Sequence, residues 1–211
     1  MSFGTNAPIG FVENVTKTSS TCNTQDYQYD IASGYATSLF TGDPVAPLNT
    51  GFIGRATPGA GNPVLGVFKG VTFRSTTNEL MFFPYWVANT VTASAAPAQA
   101  YVIDDPMVVF TIQAGSSNGG TQPQAVRTSI NKNADYVIGA GNTFNGLSGA
   151  YLDMFTVATT VDLPCKILSI TPGFTAEISL PSENVLAQNY NNVNVLFNNH
   201  KFKGGTGTVG I

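Results

Sequence analysis

The sequence predicts an all-β protein with a β-barrel or β-sandwich body. Three observations carry this reading. Short apolar runs alternate with turn residues along most of the chain. No long stretch places apolar residues at i, i+3, i+4 and i+7. Glycine (22 residues) and proline (12 residues) recur too often for long helices to form between them. At 211 residues the chain can bury a real core, as one large β domain or as one domain with an arm.

Each element follows in order. Residues 1–34 are polar and weakly patterned; Lys17 to Gln28 offers almost nothing to bury. This segment reads as an extended N-terminal arm or a long loop. The β-rich body is expected over 35–200. Tyr35 to Phe40 is apolar enough for a strand and runs into the turn signal Thr41-Gly42-Asp43-Pro44, after which Val45 to Leu48 can resume. Five Gly and Pro residues make 54–63 a loop. Val64 to Phe73 is a long strand or strand pair, with Val67, Lys69, Val71 and Phe73 on one face by the two-residue period. Leu80 to Val87 is rich in aromatics, and Pro84 in its middle marks an edge, a bulge or a loop. The Ala-rich 92–99 is a connection. Tyr101 to Ile103 and Met107 to Ile112 flank Asp104-Asp105-Pro106 as strands, and 114–123 is a polar loop. Asp135 to Ile138 leads into a turn-rich region that lasts to Gly149. Cys165 to Ile170 and Asn192 to Phe197 are short, strong strands. Residues 201–211 form a flexible Gly-rich C-terminal tail.

Composition limits the chemistry. Only 10% of the residues are charged, against about 25% in an ordinary soluble domain. Gly, Asn, Thr, Ser and Ala take their place, which suggests a neutral, hydrogen-bonding surface suited to wide protein contact. The net charge is -3 and the basic residues are scattered, so neither nucleic acid nor an anionic membrane is an expected partner. No signal-peptide pattern opens the chain and no apolar run approaches the roughly 18 residues of a membrane helix. Synthesis in a cytoplasm is therefore expected. Cys22 and Cys165 are far apart and outside any metal spacing. They read as two reduced, buried thiols, or as a disulfide pinning the N-terminal segment to a core strand.

The candidate catalytic signals are sparse, and no enzyme activity, cofactor or metal is expected. Asp104 and Asp105 are adjacent, so a strand would point them to opposite faces; turn residues are the plainer reading, a calcium or glycosidase-type pair the sharper one. His200 is the single histidine, so any Ser–His or Cys–His dyad must use it. An exposed or interface role fits it better. Gly139-Ala140-Gly141 invites a nucleotide-loop reading, but Phe144 stands where the third glycine belongs. The aromatics Phe82, Phe83, Tyr85 and Trp86 could be core, an interface anchor or a carbohydrate platform.

Several segments, in order, resemble one family. Asn6-Ala7-Pro8-Ile9-Gly10-Phe11 is similar to its short opening of Pro, then an aromatic residue or Ile, then Gly. Ser38-Leu39-Phe40-Thr41-Gly42-Asp43-Pro44-Val45 resembles its strand and Gly-Asp-Pro-Val turn. Val64-Leu65-Gly66-Val67-Phe68-Lys69-Gly70-Val71 resembles its Leu-Gly-Val strand. Tyr101-Val102-Ile103-Asp104-Asp105-Pro106, with Val108-Val109-Phe110, resembles its Asp-Asp-Pro element. Asn133-Ala134-Asp135-Tyr136 and Gly146 to Asp153 resemble its later turn region. Leu163 to Ile170, then Asn198-Asn199-His200, resemble its last strands. The family is that of the tailed-bacteriophage capsid decoration, or cement, proteins. The likeness spans most of 6–200; the polar 14–34, the aromatics at 81–86 and the Gly-rich tail depart from it.

The resemblance implies a β-rich virion protein on the outer surface of a phage head, made in the bacterial host. It implies binding to the major capsid protein and to copies of itself as a homotrimer. It carries over no catalytic residue. The arm, the tail and the surface aromatics are then the expected contacts: Phe11, Lys17, Tyr27, Tyr29, Tyr85, Trp86, His200 and Lys201. A tail- or fibre-associated β protein that recognises a host glycan is the alternative.

Overall fold

The computed structural model describes residues 5–15, 26–118, 124–171, 189–203 and 210, and they form an all-β fold. Lys17, Cys22 and most of the Gly-rich tail lie outside the described residues.

Among the described residues, fourteen strands fall into two units. The first unit is a closed ring. β10 (Phe110–Gly115) pairs in parallel with β12 (Leu147–Ala158), β12 with β11 (Asn133–Asn142), and β11 with β13 (Cys165–Ile170). β13 then pairs with β14 (Asn192–Phe197), and β14 returns to β10. Among the described residues the ring is thus a closed five-stranded barrel. β1 (Val12–Glu13) extends it along β10. The alternation of β14 explains its place: Val193, Val195 and Phe197 point into the barrel with Phe110, Tyr136, Leu152, Cys165 and Ile167.

The second unit is a sheet ordered β2 (Tyr27–Ile31), β9 (Ala98–Ile103), β6 (Gly66–Arg74), β4 (Pro44–Pro47), β5 (Ile53–Arg55). β7 (Leu80–Phe83) lies beyond β4 on the same edge of β6. A small pair, β3 (Leu39–Phe40) with β8 (Tyr85–Trp86), closes the apolar side. Its core holds Ile31, Phe68, Val71, Trp86 and Val102, and the Trp86 indole N–H donates to the Tyr35 carbonyl at 3.2 Å. Pro84 lies between two strands, β7 and β8, so the run is interrupted where the sequence allowed an edge, a bulge or a loop.

Three expectations change. Tyr35 to Phe40 is a strand only at 39–40, because residues 32–38 turn to bring Tyr35 against β5, where its hydroxyl accepts from the Arg55 N–H at 2.9 Å. The region 139–149 is not mainly turn: β11 runs on to Asn142 and β12 starts at Leu147. The glycines here serve close packing. A Cβ on Gly141 would sit 2.1 Å from the Phe40 ring, and one on Gly149 would sit 2.2 Å from the Ala140 carbonyl oxygen. Finally, the described parts of 1–34 are not a detached arm. Phe11 is buried against Phe110, Tyr136 and Phe197, and β2 is a full member of the second sheet. The sequence hid this because one aromatic in a short apolar run ahead of a long polar segment shows no period.

The asparagine content also reads differently in three dimensions. Asn133, Asn191, Asn192, Asn194, Asn198 and Asn199 are buried. Asn191 grips the Ala125 backbone by both groups, donating to its carbonyl at 2.8 Å and accepting from its N–H at 2.9 Å. Asn198 donates to the carbonyls of Val161 and Leu163. Asn194 accepts from Asn14 and Thr111 and donates to Ser169, tying three strands and the β1 end. Neutral amides thus do inside this protein what ion pairs would do at a desolvation cost.

Candidate functional site

The two units meet along a seam built by the turn 40–43. The Phe11 N–H donates to the Gly42 carbonyl, the Gly42 N–H to the Phe68 carbonyl, and the Phe68 N–H to the Asp43 carbonyl. Asp43 is buried at its centre. Its carboxylate accepts from the Phe40 N–H at 2.9 Å and from the Ser148 hydroxyl on β12. Burial raises the Asp43 carboxyl above its ordinary range, opposed by the Ser148 and Phe40 hydrogen bonds and by the Arg55 charge. The group is fully engaged in joining the units, which is the work of a structural acid.

His200 follows β14 at the start of a single 3-10 turn, Lys201–Lys203. It is 1% exposed, between the rings of Phe197 and Phe202. Its Nδ1 accepts from the Phe202 N–H at 3.1 Å, so the neutral ring carries its proton on Nε2, toward the Leu65 backbone. Nε2 makes no hydrogen bond of ordinary geometry. Burial, then the Lys203 charge, push this imidazole down to about 4. It is neither an exposed contact nor aligned with a Ser or Cys nucleophile among the hydrogen bonds it makes.

The outward surface carries the unusual features. The β11–β12 hairpin tip is held by three hydrogen bonds: Phe144 N–H to Asn142 Oδ1, Leu147 N–H to Asn145 Oδ1, and Gly146 N–H to the Asn142 carbonyl. It presents Phe144 at 98% exposure. On β7, Leu80 and Phe82 are 68% and 67% exposed. Phe155 on β12 and Phe202 after β14 are exposed as well. A groove of about 440 Å³ runs beside the seam between Tyr35, Arg55, Pro58 and Ile138. A second, of about 340 Å³, lies between Asp26, Lys69, Gly70, Phe82 and Tyr101.

The expected contact residues divide. Tyr27 and Lys201 are exposed. Tyr29 is half-buried, with its hydroxyl donating to Asp104 and its ionisation pushed up by burial and then by that carboxylate. Asp104 is therefore paired with a tyrosine rather than with Asp105. Tyr85 is half-buried and stacked on Phe40 at 5.5 Å. Phe11, Trp86 and His200 are core residues, which corrects their assignment to a surface. Phe144 was missed; an aromatic inside the polar turn Asn142-Thr143-Phe144-Asn145-Gly146 is a signal worth marking, and the fold leaves nothing packed over it. Cys165 is a free thiol deep in the barrel, raised by burial. Among the described residues no cluster of three His, Cys, Asp or Glu could hold a metal, and no helix is long and apolar enough to cross a membrane.

No protein-family model matches the chain, and no curated protein or solved structure is significantly similar to it.

Proposed function

We propose that this chain is a structural virion protein: a capsid decoration, or cement, subunit that binds the outside of a phage head. It braces contacts between major capsid proteins. The observation that carries the proposal is the set of large apolar side chains turned outward from hydrogen-bonded strands and turns, Phe144 above all. An exposed aromatic on a hydrogen-bonded turn is unfavourably solvated in the free protein, and burying it at an interface recovers that cost.

Two further points support this reading. Segments that carry the family resemblance converge in space: Gly10-Phe11, Gly42-Asp43, Phe68 and Ser148 to Ala150 are joined by hydrogen bonds at the seam. Low charge also removes long-range repulsion between many copies on a symmetric shell, where weak contacts sum through avidity.

The decisive experiment is the copy number of this protein in purified particles, relative to the major capsid protein. A simple lattice ratio is expected. A few copies per particle would move the protein to the tail or fibre, and its absence from particles would overturn the proposal.

A further inference from the structure

The outer face of the second sheet changes character along its length. At one end Val67 and Ile103 face the barrel core. Farther along, the same face carries Gly70, buried beneath the Phe82 ring, then half-buried Tyr101 and Thr72 and exposed Gln99. A β-bulge between Phe68 and Gly70 separates the two halves. Bulges re-aim side chains, and here the extra residue, Lys69, joins the lining of the smaller groove.

Gly70 shapes the floor. A Cβ there would lie 3.3 Å from Phe82 Cζ and 3.1 Å from the Phe83 carbonyl oxygen. Its absence lets the exposed Phe82 ring lie low over the sheet, 6.1 Å from the Tyr101 ring and tilted by 57° to it. Thr72 donates to the Tyr101 hydroxyl at 3.1 Å, which leaves the phenol proton to donate outward. Asp26 and Lys69 complete the lining.

We propose that Phe82, Tyr101, Lys69 and Asp26 form a shallow binding site for one neutral pyranose unit of a glycan. A pyranose has an apolar C–H face and a rim of hydroxyls that both donate and accept. The two rings match the face. The ammonium donates, the carboxylate accepts, and the phenol completes the rim. One cation against one anion favours a neutral sugar over an anionic one. The site uses Phe82 and Tyr101, not the buried Trp86, and it stands whether or not the protein decorates a head.

The test is saturation-transfer NMR and titration of the full chain with the methyl glycosides of glucose, galactose, mannose and N-acetylglucosamine. At least one should bind with a Kd on the order of 1 mM. Phe82→Ala should weaken that binding about tenfold or more, and Lys69→Gln by a smaller factor. Phe144→Ser should bind as the parent does. Because Phe82 is exposed, the melting temperature of its variant should stay unchanged, which separates lost binding from lost folding. No saturable binding by any of the four glycosides would overturn the proposal. So would binding that Phe82→Ala leaves intact, or a Phe82→Ala variant that loses only protein association.

Discussion

His200 shows how one buried residue imposes a pH dependence. In the unfolded chain the imidazole titrates near 6.5; in the fold it titrates at about 4. As pH falls below 7 the unfolded chain takes up a proton that the native state refuses. Stability is therefore lost from about pH 6.5 down to pH 4, on the order of 3 kcal/mol in all. Lys203 opposes the charged form and Asp105 favours it, while Asp43 and Asp135, both raised by burial, act in the opposite sense. Urea titrations at pH 7 and pH 5 should show His200→Gln losing about 2 kcal/mol less than the parent over that interval. Asn191 makes a second residue-scale case. Asn191→Ala would leave both the Ala125 N–H and its carbonyl unpaired in the interior. A loss of about 2 kcal/mol or more is expected in the same urea measurement. Low charge in the sequence signalled that amides would matter; it could not signal that they would be internal, because an isolated Asn reads the same in a turn or a core.

At the scale of elements, the N-terminal segment has the clearest consequence. β1 and β2 belong to different units, one to each sheet, so the chain crosses the seam early. Removing residues 1–30 should unfold the body, where a detached arm would leave it folded. Phe11→Ala should cost about 3–5 kcal/mol, read from the denaturation midpoint, because its ring fills the space between Phe110, Tyr136 and Phe197. Strands with strong β-branched alternation were legible: Cys165–Ile170 and Asn192–Phe197 have the bounds the pattern predicts. The β11–β12 hairpin was not, because its glycines look like turn signals until Phe40 is seen packed against Gly141 and the Ala140 carbonyl against Gly149.

At the scale of the molecule, the barrel and the open sheet share a seam of backbone hydrogen bonds around Asp43, and the apolar side chains left outside are concentrated on strands and tight turns. If this surface binds a shell, Phe144→Ser should weaken co-sedimentation with heads while changing folding stability by less than about 0.5 kcal/mol, since the ring touches little in the free protein. Equal co-sedimentation of variant and parent would remove Phe144 from the contact.

The sequence by itself determined the all-β class, an irregularity at Pro84, the bounds of β13 and β14, and the scarcity of charged groups. These depend on local period and composition, which need no partner strand. Only the tertiary structure decided that five strands close into a barrel, that Phe11, Trp86 and His200 are interior, and that Phe82 and Phe144 face outward. Burial is a property of what lies opposite, and strands far apart in sequence supply it.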